Sequence, residues 1–460
     1  MGAKLSIYNL GKLGVNVDAN PVQLQDGEFT EAKNWTTDPS GSEGSIRKRP
    51  GLTAINSSAG GGGTSVLGAV NLGYTQTLTN TFYAGVRATA QNGSSPSATW
   101  RSSTNGTSWS SVTTPTRPVY GNEYATQWSD EVVALPHNNK LYYAGDDYVS
   151  YPTASHSAPT IRCYDGVVDA LVGRCPYNIS IGADTNAFMV TAMALYDTDS
   201  FLVACADGGA LGSTAPARVF RFFPANGQFQ QIGPTAAVGA TEFNAGIVQC
   251  MTVHAGRIFI GTERGGSGTG QTYMFRVGQD TTWSVDNTFG ANYNIHSLAS
   301  YKGRLFAGTR SLLSASPIIY VRSTVGAWTA SYTGSAASSG FSTLTALTVF
   351  GDNLYCLGYE DGVADTSERI TIKKFDDTSW STVWTLDEGG QESRSQNTVG
   401  GQGLVGPDGA LYFVISETDA AAATDANSDG IILRSTNGTT WTEVDTFTNL
   451  RGCIGFTRTV

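Results

Sequence analysis

A repeat of about 55 residues constrains this chain more than any other feature. Its clearest copy reads Ile295-His296-Ser297-Leu298-Ala299-Ser300-Tyr301, a Lys302-Gly303 turn, Arg304-Leu305-Phe306-Ala307-Gly308-Thr309-Arg310, a short loop, Ile318-Ile319-Tyr320-Val321-Arg322-Ser323, and a last strand from Trp328. Two apolar runs around a two-residue turn ending in Gly signal a β-hairpin, because Gly takes the positive φ that the tight turn demands. Two further strands complete a four-stranded antiparallel sheet. Such a sheet cannot bury both faces alone and requires copies of itself on either side.

The copies are marked by hydrophobicity and by turn chemistry. An apolar anchor opens the second strand of each unit, at Phe82, Leu141, Phe201, Ile258, Leu305, Leu354 and Leu411, with spacings of 47 to 60 residues. The turns before these anchors, among them Asn138-Asn139, Ala255-Gly256, Asp352-Asn353 and Asp408-Gly409, use residues that tolerate left-handed backbone or cap a turn. Trp109, Trp283, Trp328, Trp380 and Trp441 close five units, and an indole there can wedge between neighbouring sheets. In the second and third units Asp165-Gly166 and Asn226-Gly227 keep the turn, with Val168 and Phe229 in place of Trp. The segments Ser103-Thr104-Asn105-Gly106-Thr107-Ser108-Trp109 and Ser435-Thr436-Asn437-Gly438-Thr439-Thr440-Trp441 nearly duplicate each other. They resemble the Asp-box turn of sialidase-like propellers, one residue short of its usual spacing. That resemblance implies a fold and not an activity.

Seven units predict an all-β, seven-bladed β-propeller of four-stranded antiparallel blades over residues 64–447. Residues 1–63 do not fit the repeat; Gly, Pro, Asp and Asn punctuate them as an extended N-terminal docking arm, with 57–63 as linker. Residues 448–460 have strand character and could close the ring by pairing with the first or last blade. Longer loops, such as Gly208 to Pro216 and Ser416 to Gly430, mostly follow the second strand and are expected on one face, where partners would dock.

Charged residues make up 14% of the chain, against roughly 25% in average soluble proteins. That fits either surface buried against partners or a Ser/Thr/Gly-rich β surface. A net charge of −10 argues against a general nucleic-acid binder, since phosphate contacts need clustered Lys and Arg. The densest basic patch, Arg47-Lys48-Arg49, could touch a genome in a channel, although an acidic neighbouring subunit suits it better. Neither a cationic, apolar leader nor an 18-residue apolar run is found, so assembly in a cytoplasm and no membrane span are expected. The six cysteines lack CxxC spacing and read as buried reduced thiols; Cys163 and Cys175 are the pair close enough in sequence to suggest a disulfide.

The opening segment carries a resemblance. Gly14, Val15, Asn16, Asp18, Pro21, Leu24, Asp26, Gly27, Glu28, Asn34, Gly44, Ile46, Arg47, Arg49, Pro50 and Gly51 follow a succession that resembles the N-terminal segment of virion propeller proteins in tailed bacteriophages, including nozzle-like tail proteins. It covers about the first tenth of the chain. It implies a virion tail location, other tail or head-tail proteins as partners, and a homo-oligomeric ring set by tail symmetry.

Motifs for chemistry are sparse. Gly401-Gln402-Gly403-Leu404-Val405-Gly406 matches GxGxxG, but a hairpin follows it where a dinucleotide site needs a helix. HExxH, Walker and GxSxG patterns are missing, and His137, His156, His254 and His296 are scattered. Asp425, Asn427 and Asp429 before Gly430 match the first half of a calcium loop, whereas Leu433 and Thr436 stand where further ligands belong; an Asx-rich hairpin loop is the other reading. The sequence therefore points to a non-enzymatic structural component of a phage tail, with no cofactor beyond that calcium candidate. The alternative is a sialidase-like propeller that binds or cleaves glycans, and no arginine and acid constellation is recognisable for it.

Overall fold

The structure, a computed structural model, describes residues 35–37, 46–48, 81–87, 98–112, 133–138, 140–145, 148–151, 154–157, 160–166, 168–175, 188–207, 218–232, 247–263, 269–276, 283–291, 293–311, 315–335, 342–360, 369–387, 403–406, 408–417, 429–447 and 456–459. Two compact units divide the chain, Met1–Leu78 and Thr79–Val460. In the first, Trp35–Thr37 and Ile46–Lys48 pair antiparallel. Nearly all of the expected arm and linker, and the loops expected to form a docking face, lie outside the described residues.

The second unit is built from strands, with no helix among the described residues. Four-stranded antiparallel meanders cover 134–174, 188–231, 247–291 and 403–447. A fifth four-stranded sheet takes Thr81–Arg87, Ala98–Ser103 and Ser110–Val112 together with the distant strand Phe456–Thr459. Residues 293–387 form an eight-stranded sheet, in which Arg310 and Ser311 pair with Thr343 and Ser342. The innermost strands of successive sheets touch one another in order, Phe188–Leu195 against Ile247–His254, then Tyr293–Tyr301, then Ser342–Phe350. Small repeated sheets with converging inner strands make this an all-β propeller.

The anchors explain why the sheets stack. All seven, Phe82, Leu141, Phe201, Ile258, Leu305, Leu354 and Leu411, are 0% exposed, each contributing about 1.5–3 kcal/mol of burial. The apolar clusters lie between neighbouring sheets: Tyr142 and Ile161 pack with Phe201, Val203 and Phe220, while Leu357 and Ile372 pack with Phe413 and Leu433. Indoles tie the same seams. Trp283 Nε1 donates to Ile232 O at 2.6 Å, Trp328 Nε1 to Asp286 Oδ2 at 2.7 Å, and Trp380 Nε1 to Ser331 Oγ at 3.0 Å, each reaching the preceding four-stranded unit.

The turns hold with local adjustments. Ala255 and Gly256 (φ 48° and 71°) and Lys302 and Gly303 (φ 46° and 73°) sit in the left-handed region that a two-residue hairpin of this hand requires. One turn is shifted by a residue: Phe350 pairs with Asn353, so Gly351-Asp352 makes it and Asn353 opens the strand. Phe229 fills the Trp position as expected, 4.6 Å from Phe222. Val168 does not, being 57% exposed. The neighbouring Asp169 turns inward instead and accepts from Tyr143 Oη at 2.8 Å and Arg162 Nε at 3.2 Å.

Candidate functional site

The inner strands are where a propeller must use small side chains, because neighbouring strands converge there. Four of them carry one signature: Val190-Thr191-Ala192-Met193, Val248-Gln249-Cys250-Met251, Ile295-His296-Ser297-Leu298 and Leu344-Thr345-Ala346-Leu347. Its polar position precedes the unit's anchor by nine or ten residues. The first residue of each signature is buried between sheets, at 4% exposure or less. The other three line a single cavity of about 200 Å³, completed by Val133, Ala134, Thr348 and Gly403.

β-Bulges aim these residues. Val190 pairs with Cys205 and Ala192 with Ala204, so Thr191 is the extra residue. Gln249 is extra between Val248 and Cys250, and His296 between Ile295 and Ser297. In the fourth strand Ala346 and Leu347 fall between the paired Thr345 and Thr348. Ala346 takes φ 54°, a left-handed conformation uncommon for Ala, and Thr348 Oγ1 donates to its carbonyl at 2.9 Å. A bulge frees one residue from the ladder and re-aims its side chain, which is why bulges gather beside functional sites. Gly403 closes the ring of lining residues; a Cβ there would overlap Thr348 Oγ1, so only Gly allows so close an approach.

The lining holds hydroxyls, an amide, an imidazole, a thiol and apolar Met and Leu, and none of its sixteen residues is Asp, Glu, Lys or Arg. His296 is the imidazole. The sequence sets it, like His254, in an innermost strand before a hairpin turn, and the structure separates it from the other histidines. His137 is buried against the Tyr142 and Phe201 rings, and burial pulls its pKa down. His254 shares a 2.8 Å hydrogen bond with Ser300 Oγ, and burial followed by the nearby Arg322 lowers its pKa. The His156 side chain lies outside the described residues.

Of the calcium candidates, Asp425 and Asn427 lie outside the described residues, while Asp429 opens the strand Asp429–Ser435 with its backbone paired to Glu417. Gly403–Val405 is a strand, in keeping with the rejection of a dinucleotide loop. Among the described residues no group of three or more His, Cys, Asp or Glu side chains could hold a metal ion, and no helix is long and apolar enough to cross a membrane.

No family model matches the chain, and no curated protein matches it. Solved structures do. A periplasmic gluconolactonase of Pseudomonas aeruginosa is similar at 11% identity and a TM-score of 0.50, covering 83% of this chain and 100% of its own. A Trypanosoma rangeli sialidase mutant displaying trans-sialidase activity is similar at 9% identity and a TM-score of 0.42, over 67% of this chain and 54% of its own. A xyloglucanase of Xanthomonas campestris is similar at 11% identity and a TM-score of 0.41, over 75% of this chain and 64% of its own. At such identities the likeness establishes the fold alone.

These findings correct two expectations. The non-enzymatic structural component of a phage tail gives way, because the propeller similar at a TM-score of 0.50 is a gluconolactonase and not a phage protein. The physical reason lies in where a propeller keeps its site. A reading confined to contiguous motifs misses residues that the fold gathers one per inner strand, as at positions 191, 249 and 296. Of the residues that carried the phage resemblance, Ile46 and Arg47 fall in a described strand and the others outside the described residues.

Proposed function

We propose that this chain acts on a glycan or a sugar-derived small molecule, held in the cavity between the inner strands of a seven-bladed propeller. The observation that carries the reading is the bulge series: Thr191, Gln249 and His296 occupy equivalent places on successive inner strands and enter one uncharged cavity. The blade count counts the eight-stranded sheet as two meanders, 293–333 and 342–387. Contacts of Ser342–Phe350 with Gly403–Val405, of Gly403–Val405 with Phe456–Thr459, and of Phe456–Thr459 with Ala134–His137 support closure of the ring.

The chemistry of the lining selects the substrate class. Neutral hydroxyl, amide and imidazole groups suit the hydroxyls of a sugar, and Met193, Met251 and Leu298 offer apolar contact to its C–H faces. Thr191 Oγ1 is buried and meets no hydrogen-bond partner among the described residues, so it favours a ligand that supplies one. A sialic acid carboxylate would call for Arg, and glycoside cleavage by the usual route calls for two carboxylates; the lining offers neither. Opening a ring ester needs only one base to activate water, and His296 supplies the one imidazole of the lining. A neutral sugar or sugar lactone therefore fits better than a sialoside.

The test is a neutral-glycan array together with a hydrolysis panel of sugar lactones, neutral aryl glycosides and a fluorogenic sialoside. Turnover or binding of a neutral sugar or lactone is expected, with the sialoside blank. His296→Ala should lower kcat about 10²–10⁴-fold, and Gln249→Ala should raise KM. Folded protein that ignores every neutral sugar and lactone would refute the proposal.

A further inference from the structure

We propose that Cys175 and Cys205 form a disulfide site that joins two neighbouring sheets when the chain folds in an oxidising compartment. Cys175 directly follows Asp169–Arg174, the outer strand of the 134–174 sheet, and Cys205 lies in Phe201–Asp207, the second strand of the next sheet. Their sulfurs stand 3.3 Å apart, the Cys205 thiol donating to Cys175. That is roughly 1.3 Å beyond a disulfide bond, a gap small enough for side-chain rotation to close. Both side chains are buried, at 6% and 0% exposure, among Tyr142, Val190, Phe201 and Phe220.

The alternative partner is placed elsewhere. Cys163, which sequence proximity paired with Cys175, faces Ala170 across its own sheet and lies against the Tyr142 hydroxyl. Of the five described cysteines, the Cys175–Cys205 pair has a sulfur–sulfur contact that crosses from one sheet to the next. The cross-link would span a separation of 30 residues, a loop long enough for a disulfide to restrict the unfolded chain appreciably.

The chemistry is thiol–disulfide exchange with a small-molecule or protein disulfide, such as oxidised glutathione. One S–S bond forms between Cys175 and Cys205 and one breaks in the acceptor. The pair gives up two electrons and two protons, and the acceptor leaves as two thiols. Burial drives the Cys205 thiol well above its usual range, so little of it is the reactive thiolate in the folded state. Exchange therefore belongs to folding, before the sheets close over both sulfurs.

The full chain, refolded in a glutathione redox buffer, would be unfolded in denaturant with iodoacetamide and no reductant, then digested and mapped by mass spectrometry. A linked Cys175–Cys205 peptide pair is expected, together with a Tm that falls when reductant is added before heating. Cys175→Ser and Cys205→Ala should each abolish the linkage and the reductant effect. Complete alkylation of both residues, or linkage of either to Cys163, would overturn the proposal. The wild-type peptide map decides even where a variant fails to fold.

Discussion

Single residues at the turns separate two costs that usually travel together. Gly256 takes φ 71° with nothing within 4 Å of a would-be Cβ, whereas a Cβ on Gly438, at φ 73°, would overlap the Tyr355 hydroxyl of the neighbouring unit. Gly256→Ala should therefore lower stability by about 1 kcal/mol, from backbone strain alone. Gly438→Ala should cost roughly 1–3 kcal/mol more, and Tyr355→Phe should recover part of that in a double-mutant cycle followed by urea unfolding. Ala255 holds φ 48° in the same turn as Gly256; Ala255→Asn, a residue at ease there, should raise stability by about 0.5–1 kcal/mol. The Asx turns offer a pH test. Asn437 Oδ1 accepts from Thr439 N at 2.9 Å and Thr440 N at 2.8 Å, and Asp376 Oδ1 does the same for Thr378 N and Ser379 N. Hydrogen bonds from the Thr378 side chain and from these amides hold the Asp376 carboxyl below 3.8. A depressed folded-state pKa gives stability that is present above 3.8 and lost as pH falls below it. Asp376→Asn keeps the acceptor without the titration, so its unfolding midpoint should fall less than wild type between neutral pH and pH 3.8 or lower.

At the scale of strands, a buried ion pair in the second half of the eight-stranded sheet accepts a hydrogen bond from the first half. Lys373 Nζ lies 2.7 Å from Glu360 Oε2, and Tyr332 Oη donates to Glu360 from the preceding meander at 3.3 Å. Burial opposes the Lys373 charge, but hydrogen bonds to Glu360 and Tyr332 outweigh it and hold the pKa above 10.5. Its contribution is thus complete below pH 10.5 and lost as pH rises through the higher folded-state value. Lys373→Met should cost about 3–5 kcal/mol by stranding the carboxylate, and adding Glu360→Gln should return part of it; chemical denaturation of the single and double variants measures both. Nothing in the sequence marks this pair, since Glu360 and Lys373 look like ordinary strand charges until their burial is known. The anchors were readable because one fully buried apolar residue recurs in every unit beside a turn of fixed chemistry. Bulges were not, because an extra residue in a strand leaves the apolar alternation nearly intact on either side. The signature around Thr191, Gln249 and His296 was nonetheless present, visible once each inner strand is counted back from its anchor.

For the whole molecule the question is how a repeat array ends. Thr81–Arg87 pairs with Ala98–Ser103 on one side and, through Thr81 to Ala84, with Phe456–Thr459 on the other. The two ends of the propeller sequence thus meet in one sheet. Likeness in the first 51 positions speaks for a segment outside this unit, whereas the cavity is assembled from strands between 133 and 403. Removing residues 448–460 would leave the N–H and C=O groups of Thr81–Ala84 without their strand partner and turn an interior strand into an edge. The shortened chain should melt roughly 4–8 °C lower, for the loss of a few ladder hydrogen bonds, and should scatter light increasingly with concentration as exposed edges pair between molecules. Calorimetry and light scattering on both chains check this. A synthetic peptide of residues 448–460 added in excess should restore much of the Tm and suppress the scattering, because it offers the same backbone partners without the covalent connection. An unchanged Tm would instead place the closure in the apolar seam of Phe82, Trp100, Tyr143 and Tyr412, which joins three sheets without the last strand.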